Sequence, residues 1–79
     1  MKKPKPVAVE HKRILDQDVT IEIFRYPDGT FWGSYSCVAL SLRGGHSAYS
    51  KTIDQAVGMT EMKATIAIRN KTGQFDDPA

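Results

Sequence analysis

The chain has 79 residues, 41% hydrophobic and 25% charged, with a formal net charge of +2. This is the size of one small domain with a thin stability margin, and the near-average composition excludes a disordered chain. The weak charge lacks the basic bias of a dedicated nucleic-acid binder, and no apolar run nears the roughly 20 residues that span a bilayer.

Residues 1–6, "MKKPKP", read as a disordered basic tail, since Pro4 and Pro6 block both helix and ladder pairing. No apolar stretch follows Met1-Lys2-Lys3, so the start does not read as a signal peptide. The single cysteine, Cys37, cannot form an internal disulfide and points to the cytoplasm. Residues 7–73 read as a single domain. Residues 7–15 read two ways: Val7 and Val9 alternate, which suggests an edge strand with Lys12 and Arg13 as charges that discourage foreign pairing, while "EHKRIL" could turn helically; the strand is the reading taken. Residues 18–26, "DVTIEIFRY", have the period-two pattern of a half-buried strand. Pro27-Asp28-Gly29 predicts a type I turn with a G1 bulge. Residues 30–42 are the return strand, Arg43-Gly44-Gly45-His46 a second turn, and "SAYSK" a short further strand.

A helix is predicted over about residues 53–71. Thr52 is its N-cap, Gln55 completes a capping box, and Asp54 complements the helix dipole. Arg69 and Lys71 do the same at the other end, and Gly73 is the C-cap. Residues 74–79 form a short acidic tail containing Phe75. The fold class is α+β: an antiparallel sheet of three to four strands with one long C-terminal helix on one face.

The turn sets a register: Arg25–Phe31, Phe24–Trp32, Ile23–Gly33, Glu22–Ser34, Ile21–Tyr35, Thr20–Ser36 and Val19–Cys37. Directly opposed residues share a face. Val19, Ile21, Ile23, Phe31, Tyr35 and Cys37 form the core face, and Gly33 leaves room for the helix. Thr20, Glu22, Phe24, Trp32, Ser34 and Ser36 form the other face, polar except for a side-by-side Phe24–Trp32 pair. That pair stabilises the hairpin, is covered by a folded-back tail such as Phe75, or is an exposed anchor for a partner. On the helix, Ile53, Ala56, Val57, Thr60, Ala64, Ala67 and Ile68 face the sheet. Met59, Met62 and Ile66 form a second apolar stripe on the opposite side. It is either scattered surface or a contact for self-association or a partner.

Chemistry is sparse. His11, His46 and Cys37 lack metal-ligand spacing, Cys37 belongs to the core, and no two carboxylates fall together in a cleft. The chain reads as a non-enzyme with no cofactor and no metal.

The "PDG" turn and the "YSKTIDQAV" helix entry resemble the β-β-β-α unit of HicB-type antitoxins over residues 19–69. The separate DNA-binding segment of many such antitoxins is missing, so the resemblance implies the fold more than the role. In size and type alone, the chain is similar to small phage-encoded inhibitors of host defence, including anti-CRISPR proteins. The expectation is a cytoplasmic binding protein (host cytoplasm if phage-encoded) that occupies a protein or ribonucleoprotein surface. Phe24 and Trp32 would be the anchors, with Glu22, Arg25 and Tyr26 as their rim. The alternative is a nucleic-acid-binding or antitoxin-like regulator using the same face and the basic N-terminus. A homodimer through Met59, Met62 and Ile66 is a third possibility, and no membrane association is expected.

Overall fold

The computed structural model describes residues 5–73, with the backbone alone for residues 46–48. Four strands form one antiparallel meander in the order β1 (Ala8–Ile14), β2 (Gln17–Arg25), β3 (Phe31–Cys37) and β4 (Leu42–Ser50). A single long helix, α1 (Ile53–Thr72), follows and packs on one face of the sheet. This is the α+β arrangement that the patterning predicts.

The β1–β2 hairpin closes on Leu15 (φ 50°) and Asp16 (φ 66°). Two successive left-handed residues make the tight turn whose twist matches antiparallel strands. Leucine is an unusual occupant, but its side chain packs against the core, which offsets the backbone cost. The second hairpin is the expected one. Gly29 N donates to Tyr26 O at 3.0 Å and Tyr26 N to Thr30 O at 2.8 Å, with Gly29 at φ +90°. Asp28 Oδ1 accepts from Thr30 N at 2.9 Å and from Thr30 Oγ1 at 2.6 Å. These two bonds hold the Asp28 carboxyl below the ordinary aspartate value.

The third connection differs from the sequence reading. The return strand ends at Cys37, and the chain turns through a short 3-10 segment, Val38–Leu40, into Ser41 at φ 54°. Arg43-Gly44-Gly45-His46 is therefore not a turn but part of β4, paired with Ser36, Tyr35, Ser34 and Gly33. At Gly44 a ring needs the space. A Cβ on Gly44 would stand 2.5 Å from Tyr35 Oη. The "SAYSK" strand is the end of this longer strand. Near that end Phe31 opposes Ser50 while Gly33 opposes His46, so three residues of the β4 backbone lie between these pairs where β3 has one. This bulge leaves Ser50 buried on the helix side and Tyr49 exposed.

The core is Ile14, Val19, Ile21, Ile23 and Cys37 from the sheet against Ala56, Val57, Ala64 and Ile68 from the helix. Phe31, Tyr35 and Ile53 pack at its margin. Helix and sheet approach most closely at Gly33, where an added Cβ would collide with Thr60 Oγ1. Thr52 Oγ1 caps the helix by accepting from Gln55 N at 3.0 Å. Gln55 Oε1 in turn accepts from Lys51 N at 2.9 Å, one residue earlier than the predicted capping box. Gly73, at φ 74°, closes the other end on Arg69 O. Lys12 reaches from β1 to Glu61 on the helix at 3.4 Å, so this edge charge also ties the two layers together.

Candidate functional site

Alternation along β2 and β3 places Glu22, Phe24 and Tyr26 on the sheet face away from the helix, with Trp32 and Ser34 across from them. The predicted pairs from Thr20–Ser36 to Arg25–Phe31 all form. Phe24 and Trp32 stack with centroids 4.4 Å apart and planes at 21°. Tyr26 lies 6.1 Å from Trp32 and 4.9 Å from Tyr49, tilted against both. The result is a row of four aromatic rings across one end of the open face.

The rings are not equally available. Phe24 is 9% exposed, so it supports the surface rather than forming it. Trp32 stacks against it, and Val7 is fixed nearby by its N–H to Ile23 O at 2.7 Å. The expectation of Phe24 as an exposed anchor is corrected accordingly. Tyr49 is 67% exposed and is missing from the predicted site residues. The sequence reading places it on the short "SAYSK" strand but assigns that strand no register or face. Val7 and Val9, each about half exposed, continue the apolar area on β1.

Arg25 does not join this group. Strand alternation pairs it with Phe31 on the helix-bearing side, and its guanidinium lies beside Gly29 of the turn. The rim of the aromatic row is instead Glu22 and Tyr26. Glu22 sits between Val9 on β1 and Ser34 on β3 and is partly buried. Among the described residues it has no hydrogen-bond or ion-pair partner. It borders an open depression of about 580 Å³, with Trp32, Ser34, Ser36, Gly45 and Arg43 among its lining.

A second apolar surface lies on the outer side of α1, where Met59, Met62 and Ile66 are 37%, 62% and 50% exposed. Gly58 beside them faces open space. The two apolar surfaces therefore lie on opposite sides of the molecule. Phe75, expected as a cover, lies outside the described residues.

Among the described residues no three His, Cys, Asp or Glu side chains group to hold a metal ion. His11 Nδ1 lies 3.3 Å from Thr20 Oγ1, and Cys37 is a free thiol, fully buried in the core. The side chain of His46 is outside the described residues. No helix among the described residues is long and apolar enough to cross a membrane. Comparison with protein-family models, curated proteins and solved structures yields no match.

Proposed function

We propose that this chain is a non-catalytic binding protein that occupies a macromolecular surface with the open face of its sheet. The observation that carries this reading is the exposed Tyr49 ring held against a stacked aromatic row on the face without a helix. Tyrosine and tryptophan dominate binding hot spots because they bring large area at low entropic cost. Here Phe24 fixes Trp32 from below, and Tyr26 fixes Tyr49, so little ordering is left for the moment of binding. A protein or ribonucleoprotein suits this surface better than bare nucleic acid. The carboxylate of Glu22, which has no partner among the described residues, stands beside the rings and repels phosphate. In kind, such a protein would act as small phage-encoded inhibitors of host defence do, by covering a working surface in the cytoplasm.

The test compares capture from a lysate by wild type, Tyr49→Ala, Trp32→Ala and Phe31→Ala. Trp32→Ala should weaken binding by about 2 kcal/mol, roughly thirtyfold. Its stability cost should be about 1–2 kcal/mol, since the stacked partner of Phe24 is lost. Tyr49→Ala should lose binding while melting within a few degrees of wild type. Phe31→Ala, at the core margin, should lower the melting temperature and retain binding once folded. If Trp32→Ala and Tyr49→Ala capture the same proteins as wild type, the open face is not the binding surface. A steep salt dependence toward DNA or RNA would favour the nucleic-acid regulator instead.

A further inference from the structure

The geometry points to the kind of group that the open face receives: a basic side chain of a protein partner, arginine foremost, seated between Trp32 and Glu22. This inference rests on the docking role proposed above and adds the partner's chemistry.

Glu22 is the starting point. Half-buried between Val9 and Ser34, Glu22 has no hydrogen-bond or ion-pair partner among the described residues, so its carboxylate is free to pair with an incoming cation. Beside it, Trp32 is stacked on Phe24 through one ring face, and the indole also lines the depression. The floor is made of Ser34, Ser36 and Gly45, short residues that leave the space above them open. An aromatic wall, a carboxylate without a donor and open space between them match a guanidinium. Its plane stacks on the indole while its N–H groups bond the carboxylate.

The other charges of this face sharpen the choice. Arg13 is paired with Asp18 at 3.1 Å near the β1–β2 turn, so that pair adds little net field. Arg43 stands on β4 opposite Ser36, two residue pairs along the sheet from the Ser34–Glu22 pair and on the same face. It lines the same depression and is exposed. A bare polycation would meet Arg43 as a repulsion. A peptide segment would not, because its carbonyl groups or a nearby acidic side chain can accept from Arg43. The occupant is therefore a basic residue within a protein chain.

Trp32 is the sole tryptophan, so its indole resonance and fluorescence report on the site directly. The whole protein is titrated with four blocked tripeptides, each with a central arginine, lysine, citrulline or glutamate between glycines. The arginine peptide should shift the Trp32 indole and Glu22 amide resonances saturably. Citrulline, which keeps the shape and loses the charge, should bind about tenfold more weakly or not at all. Glu22→Gln should weaken the arginine peptide by about tenfold and leave the melting temperature unchanged. Citrulline binding as well as arginine, an unchanged affinity in Glu22→Gln, or preference for glutamate would each overturn the assignment. So would binding that emerges only in a Lys2→Gln/Lys3→Gln variant, since the cation would then be the chain's own. If the peptides are silent while Trp32→Ala and Tyr49→Ala still abolish capture from lysate, only the cation chemistry fails and the docking face stands.

Discussion

Gly33→Ala tests how the helix is held over the sheet. An added Cβ would run into Thr60 Oγ1 and stand 3.0 Å from Ile23 Cδ1 and 3.1 Å from Thr60 Cβ. None of these atoms is free to retreat. Thr60 and Ile23 are fully buried, and the Thr60 hydroxyl is tied to Ala56 O at 2.7 Å. Overpacking of this kind costs about 1–3 kcal/mol. Removing a glycine also restricts the unfolded chain, which returns about 0.4–1 kcal/mol. A net loss of about 1–1.5 kcal/mol corresponds to a fall of about 4–12 °C in melting temperature for a domain of this size. Thr60→Ala in the same background removes the colliding hydroxyl. The double variant should therefore recover about 1–2 kcal/mol relative to additivity, measured by urea and thermal unfolding of all four proteins. A Gly33→Ala protein within about 0.5 kcal/mol of wild type, or strictly additive variants, would refute close packing at this point. Because Trp32 points to the opposite face, folded Gly33→Ala should bind any open-face partner as wild type does.

Ser50 Oγ is buried without a hydrogen-bond partner among the described residues. Ser50→Ala should therefore be neutral or stabilising by up to about 1–2 kcal/mol in urea unfolding. Asp28 has a lowered carboxyl pKa because Thr30 donates two bonds to it. The stability this contributes is present above the ordinary aspartate value and is lost as pH falls through the lowered one. Asp28→Asn should flatten that acid step, and unfolding midpoints measured across the acid range will show whether it does. On the outer face of the helix, Met62→Glu should abolish any concentration-dependent rise in mass seen by light scattering while leaving the fold intact. A wild type that stays monomeric at high concentration would remove self-association through Met59, Met62 and Ile66.

The fold was legible where period and turn chemistry agree. Val19, Ile21 and Ile23 alternate, Pro27-Asp28-Gly29 sets the loop length, and together they determined the β2–β3 register and its faces. Thr52 and Gly73 bounded the helix, and Gly33 signalled the close approach of Thr60. The first hairpin was less visible, because Leu15 and Asp16 adopt left-handed φ without the glycine or asparagine that usually announces it. Arg25 illustrates the reverse case. Its place on the helix-bearing side followed from the register itself, and only nearness in sequence suggested that it belonged with the aromatics.

What sequence alone determined was the local order: the succession of strands and helix, the Pro27-Asp28-Gly29 turn, the helix ends and the separation of an apolar face from a mixed one. Tertiary structure decided the meaning of Gly44-Gly45: both pair with β3 within β4, and at Gly44 the Tyr35 ring takes the space of a side chain. It also decided which aromatic is the surface. Phe24 and Trp32 are equivalent in the pattern, but their stacking leaves Phe24 covered. Tyr49 enters the row only through a bulge in β4, which depends on how β4 pairs with β3. Side-chain exposure is a property of those neighbours, and they come from strands distant along the chain.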